Sequence, residues 1–201
     1  MTLMTIALVL ATFGADDEKD KPLNTPPEGY KAMFNGKDLT NWDDSGKAKG
    51  HWTVVKDGVL HYDGKGDSLK SSRIYGDIDM YVDWKIGPKG DSGIYLRGKP
   101  QVQIWDDPIG SGGLYNNKTN PSKPIKVADK KVGEWNTFHI VMRGDRVTVH
   151  LNGELVTDNV KMENWPEYND PLPPTGTIEL QHHGNPLEFR NIYIKEFNKK
   201  P

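Results

Sequence analysis

The chain has 201 residues, a formal net charge of −2 and no cysteine. Without cysteine there is no disulfide framework, thiolate metal site or cysteine nucleophile, and the near-neutral charge leaves no basic field to hold nucleic acid through its phosphates. Twenty-one glycines, 14 prolines and six tryptophans favour a turn-rich, all-β domain over a helical bundle.

Residues 1–15 carry an apolar stretch, Leu3 to Phe13, followed by Gly14 and Ala15. It is too short to span a bilayer comfortably and has the length of a signal-peptide core, although a basic start is missing. The expectation is export to a periplasmic or extracellular space, with no membrane attachment in the mature form. The alternative is a buried N-terminal strand or helix. Residues 16–29 are charged and proline-bearing and read as a polar linker. The single domain expected is 30–198.

Within it, "HWTVVKDGVLHY" predicts two short strands around Asp57-Gly58. From Ile78 the chain alternates, placing Ile78, Met80, Val82, Trp84 and Ile86 on one face. "DSGIYLRGKPQVQIWDD" predicts two more strands. Residues 107–133 hold no credible long strand. "EWNTFHIVMRGDRVTVHLNGELV" predicts strands turning at Gly144-Asp145 and Asn152-Gly153, residues 158–175 read as a loop, and "GTIELQHHGNPLEFRNIYIKEF" closes the chain. The close spacing of strands and turns argues for an antiparallel sandwich.

Alternation also sorts faces. Ile94, Leu96, Val102, Ile104, Ile178 and Leu180 should point into the core. Asp91, Gly93, Tyr95 and Arg97 then point out, with Gln101, Gln103, Trp105, Glu179, Gln181 and His183. In the last strand, strict alternation sets Phe189, Asn191 and Tyr193 against Arg190, Ile192 and Ile194, which gives no clean polar face. Asp91, Arg97, Gln103, Gln181 and His183 form a mixture suited to a sugar. Carboxylates and amides exchange hydrogen bonds with hydroxyls, and arginine forks onto paired oxygens. Tyr95, Trp105, Tyr115 and Trp135 are candidate platforms for a pyranose ring, and Asp106 stands at a strand end where a loop could turn it over the site.

Each has a plainer alternative. Arg97 could pair with Asp91, the glutamines could be solvated, and His183 could cap its turn. Trp105 and Trp135 could be packing residues, and Arg190 a clamp on the last strand. A divalent metal could use His182, His183, Asp91 or Asp106, but adjacent strand residues face opposite ways and the histidine pair is a weak signal. Asp77, Asp79 and Asp83 invite a glycosidase reading, since direct hydrolysis needs two carboxylates of suitable separation, but the stretch "DIDMYVD" lacks the Glu-x-Asp-x-x-Glu pattern of the family-16 glucanases. Oligomeric state is left open.

Several motifs stand in order: "MFNGKDLTNW", "WTVVKDGVL", "DSGIYLR", "VQIWDD", "GGLY", "GEWN", "LNGELV", "LQHHG" and "FRNI". The set resembles the DUF1080 family, also called the 3-keto-disaccharide hydrolase domain, from about Tyr30 to Phe197. The resemblance implies a concanavalin A-like jelly-roll β-sandwich of two antiparallel sheets. It also implies export and a carbohydrate substrate, with cleavage of glycosides carrying a ketone at C3. Asp91 stands where the family often has asparagine, His182 where it often has aspartate, and Pro100-Gln101 where it has an acidic residue. The chemistry then expected is removal of the C2 proton next to the ketone, with His183 or Asp106 as base and Arg97 supporting the enolate oxygen. The competing expectations are a non-catalytic carbohydrate-binding module and a structural or adhesion domain.

Overall fold

A computed structural model describes residues 22–98 and 100–197. The expected signal segment and most of the linker lie outside the described residues. Among the described residues, thirteen strands and two single 3-10 turns account for the regular structure. The larger sheet contains β1 (Lys31–Ala32), β3 (Trp52–Val55), β4 (Val59–Tyr62), β6 (Ile78–Ile86), β9 (Asn136–Arg143), β10 (Arg146–Leu151), β11 (Glu154–Lys161) and β13 (Leu187–Glu196). Its order is β11-β10-β9-β6-β13-β4-β3, with β1 added beside β13. The smaller sheet contains β2 (Trp42–Asp43), β5 (Leu69–Tyr75), β7 (Asp91–Tyr95), β8 (Gln101–Trp105) and β12 (Gly176–Leu180), in the order β2-β5-β12-β7-β8. All pairings are antiparallel, so the two sheets form the expected all-β sandwich. Among the described residues no helix is long and apolar enough to cross a membrane.

The core is built by period-two patterning. In β6 the five residues Ile78, Met80, Val82, Trp84 and Ile86 are all buried. From the smaller sheet, Ile94, Val102, Ile104, Ile178 and Leu180 meet them with no more than 1% exposure. Trp52, Tyr62 and Phe189 stack within the same core. Burying each large apolar side chain contributes roughly 1.5–3 kcal/mol, so the alternation alone supplies a strong drive to close the sandwich.

Two departures from simple alternation shape the molecule's surfaces. In β13 the register against β6 shifts between Arg190 and Tyr193, and Asn191 takes a φ of +51°. This β-bulge inserts one residue. Phe189, Ile192 and Ile194 are therefore all core residues, while Arg190 pairs with Asp83 and Tyr193 with Tyr81 across the sheet. The bulge explains why strict alternation gave no clean face there. The second departure follows β7, which ends at Tyr95. Arg97 has a φ of +55°, and its backbone crosses so close to Gly176 that a β-carbon there would lie 2.2 Å from the Arg97 carbonyl oxygen. The chain thus leaves the sheet before Arg97.

Candidate functional site

The outer face of the smaller sheet gathers most of the candidate residues. The register sets Glu179 opposite Tyr95 and Tyr95 opposite Gln101. One step along, Gly93 lies opposite Gln103, and the Gln181 amide donates to the Gly93 carbonyl at 2.9 Å. One step further, Asp91 lies opposite Trp105, with His183 beyond the end of β12. Three neighbouring strands therefore present one polar patch, since residues two apart share a face.

The polar groups are linked. Nε2 of Gln101 donates to Oε1 of Gln103 at 2.7 Å, and Nε2 of Gln103 donates to Oδ1 of Asp91 at 2.7 Å. The other Asp91 oxygen lies 3.6 Å from Nδ1 of His183. Gln101 and Gln103 are buried, at 3% and 2% exposure, so the chain of amides runs beneath the surface and ends on a half-exposed carboxylate. Gly93 makes this possible. A β-carbon there would lie 2.8 Å from Oε1 of Gln101, so only glycine lets the Gln101 carboxamide lie across the strand. On the other side of Gly93, Nε2 of Gln181 donates to the Tyr95 hydroxyl at 2.9 Å. That oxygen is filled as an acceptor, which leaves the phenolic proton to donate elsewhere. Burial pushes the Tyr95 phenol above its ordinary value, so the group acts as a proton donor and not as a base.

Trp105 and Tyr115 flank this patch. Their rings meet edge to face at 5.5 Å, and the Trp105 indole N–H is tied to the Gly110 carbonyl at 2.7 Å. Tyr115 is 54% exposed. The His183 side chain is 52% exposed, so the patch is an open platform.

Four expected site residues are placed elsewhere. Arg97 is a buried clamp: its guanidinium donates to the carbonyls of Gly76 and Pro173 and, at 2.8 Å, to Asp77. Its partner is Asp77 and not Asp91, because the chain has already left β7. It lies beyond the end of β7, with its guanidinium donors taken up by that clamp. Asp106 is engaged with the turn before β7, where its Oδ2 accepts the Lys89 amide at 2.8 Å. Arg190, in β13, and Trp135, just before β9, belong to the side of the larger sheet, with Arg190 4.1 Å above the indole ring and bonded through Nε to Asp83 at 3.2 Å.

His182 diverges from His183. Its Nδ1 lies 3.0 Å from the Ser68 hydroxyl, and its Nε2 lies 3.9 Å from Asp67. His182, His183, Asp91 and Asp106 are thus not drawn into one ligand set. Among the described residues, no group of three or more histidine, aspartate and glutamate side chains is arranged to hold a metal ion.

Two residues of the patch escaped selection from sequence. Alternation puts Gln101 on the outer face without marking it as part of the site. Glu179 also faces outward, bonded to Thr177 and 3.7 Å from Lys70. The available signal for both was their place in phase with Gln103 and Gln181.

Comparison with known proteins agrees with this placement of the sheets. A family described as the 3-keto-alpha-glucoside-1,2-lyase-like domain matches residues 29–195. A 3-keto-disaccharide hydrolase of Bacteroides thetaiotaomicron is 24% identical, with the match covering 84% of this chain and 78% of that protein. A crystal structure from Parabacteroides distasonis, provisionally assigned as a glycosyl hydrolase, superimposes with a TM-score of 0.74 at 25% identity, covering 88% of this chain and 100% of that one. The carbohydrate-binding module CBM66 of Bacillus subtilis shares the fold, with a TM-score of 0.55 at 17% identity over 78% of this chain and 96% of its own.

Proposed function

Because the chain belongs to the 3-keto-alpha-glucoside-1,2-lyase-like family, we propose that it cleaves glycosidic bonds of 3-keto-glycosides on the outer face of β7, β8 and β12. The observation that carries this reading is the His183 imidazole 3.6 Å from the Asp91 carboxylate, on the same face as the Tyr95 phenol.

A ketone at C3 makes the C2 hydrogen acidic, because its removal gives an enolate. In the proposed reaction His183 takes the C2 proton, and the C–H electrons form the C2=C3 enolate. Asp91 steadies the imidazolium that results, and Gln103 and Gln101 hold Asp91 in place. Collapse of the enolate restores the C3 ketone, forms a C1=C2 double bond and expels the C1 oxygen of the leaving group, which takes up a proton. Addition of water across C1=C2 then yields the free 3-keto sugar. Tyr95 is the neutral donor for the enolate oxygen. The partly exposed Asp91 carboxylate and Tyr95 hydroxyl offer an acceptor and a donor to the sugar's hydroxyls. Trp105 and Tyr115 supply apolar surface for the ring. Export, suggested by the Leu3–Phe13 stretch, belongs to the same proposal, since it would place the protein with its glycosides.

A non-catalytic carbohydrate-binding module is the second reading, favoured by the openness of the platform. Incubation with a 3-keto-disaccharide and its unmodified parent separates the two. The proposal expects turnover of the keto substrate alone. Binding of both sugars with turnover of neither would establish the module instead.

A further inference from the structure

We propose that the opposite face of the sandwich carries a second, non-catalytic saccharide site that takes a neutral pyranoside. It lies in a cleft of about 520 Å³ between the outer face of the larger sheet and the segment entering β1. The inference is independent of the chemistry on β7, β8 and β12.

The cleft has a built polar floor. Asp83, only 8% exposed, accepts from the Thr137 hydroxyl at 2.6 Å, from Nδ2 of Asn191 at 2.8 Å and from Nε of Arg190 at 3.2 Å. Tyr193 continues the network by donating to Oδ1 of Asn191 at 2.8 Å. The β13 bulge creates this arrangement, because it turns Asn191 and Tyr193 toward the floor together with Arg190. Among the described residues only Nε of Arg190 takes part in a hydrogen bond. Its terminal amino groups keep donors for a ligand, while its plane rests on Trp135 at 4.1 Å.

The walls are aromatic. Tyr30 and Tyr81 meet edge to face at 5.4 Å, and both line the cleft with Tyr193. Phenol rings beside hydroxyl, amide and guanidinium groups offer apolar surface to C–H bonds and donors and acceptors to hydroxyls. That combination recognises a pyranose. The formal charges of Arg190 and Asp83 cancel, so the floor offers no net field for an anionic sugar. The segment that forms the remaining wall is fixed in place. Asn24 and Asn191 exchange two hydrogen bonds, at 2.8 and 2.9 Å, and Nδ2 of Asn24 reaches the Gly58 carbonyl at 2.8 Å. The cleft is therefore preorganised, which lowers the ordering cost of binding.

The test is calorimetric titration of the full chain with cellobiose, maltose and trehalose, using wild type, His183→Ala, Tyr30→Ala and Arg190→Lys. At least one sugar should bind wild type and His183→Ala equally. Tyr30→Ala and Arg190→Lys should weaken that binding at least about tenfold, with melting curves confirming that both are folded. In wild type the Trp135 indole N–H resonance should shift as the sugar saturates, a readout that needs no variant. The proposal is overturned if none of the three sugars binds wild type. It is equally overturned if the Trp135 resonance stays fixed during binding, or if His183→Ala removes the binding while the two cleft variants keep it.

Discussion

Gln103 holds one oxygen of Asp91 at 2.7 Å, while the other oxygen faces His183 at 3.6 Å. A buried amide thus sets the direction of a half-exposed carboxylate, whose free oxygen faces an exposed imidazole. On the proposed reaction, His183→Ala should lower kcat/KM for a 3-keto-disaccharide by about 10²-fold or more, the usual contribution of a general base. Gln103→Leu should act mainly on kcat, since it leaves the platform's outer surface intact but frees Asp91. Steady-state kinetics on both variants checks this. Normal turnover by His183→Ala would remove it as the base, whatever the effect of Gln103→Leu.

Gly93 and Gln101 provide a test of the amide chain itself. A methyl group at residue 93 would fall 2.8 Å from Oε1 of Gln101 and 3.1 Å from the Val102 carbonyl. The side-chain oxygen can move but the carbonyl cannot easily follow. Gly93→Ala should therefore cost about 1–3 kcal/mol and break the Gln101 to Gln103 bond. Adding Gln101→Ala removes the nearer obstacle, so the double variant should be more stable than the sum of the two single effects implies. Denaturant unfolding of the four proteins in the cycle measures this. Simple additivity would mean that Gln101 does not lie across Gly93.

Arg97 should behave as a structural residue. Its side chain is 4% exposed, and its loss strips donors from Gly76 and Pro173 and the partner from Asp77. Asp77 is 36% exposed, so solvent softens the loss of that pair. Arg97→Ala should cost roughly 2–3 kcal/mol, which lowers Tm by roughly 4–12 °C for a chain of this size. The kcat/KM of the folded variant, measured well below its Tm, should match wild type. A large fall in kcat/KM with unchanged Tm would return Arg97 to the active site.

The contrast between Arg97 and Gln103 marks what local pattern can tell. Period-two alternation assigned core and outer faces in β6, β7, β8 and β12, because burial of one face decides it. It could not tell what covers the outer face. Gln101 and Gln103 point outward yet are buried, because Gly93 lets one lie down and because residues 112–113 bond to both the amide and the carbonyl of Gln103. Nor does alternation report where a strand stops: Arg97 continues the pattern of Asp91 and Tyr95, but its positive φ takes it off the sheet. Arg190 and Trp135 carried suitable chemistry with no sign of which sheet they belong to. That assignment comes from long-range strand pairing, to which only the bulge at Asn191 gives a local clue, since asparagine tolerates the left-handed region better than most residues.

Glu163 allows a pH prediction away from the platform. Burial works against its ionisation, but the amides of Asn120, Lys118 and Thr119 and the Asn120 side chain outweigh it, and the carboxyl is drawn down from 4.5 to about 2. The four hydrogen bonds measure 2.6–2.9 Å and pin the 118–120 loop to Glu163, two residues beyond β11. The folded value lies below the unfolded one, so the stabilisation is fully present above pH 4.5 and disappears as pH falls toward about 2. Because Glu163 is partly solvated, its contribution near neutral pH is roughly 1–2 kcal/mol. Glu163→Gln should therefore melt below wild type at pH 7, and the difference in Tm should shrink steadily between pH 4.5 and 2. A difference that stays constant across that window would show that the loop is held by the side chain's shape and not by its charge.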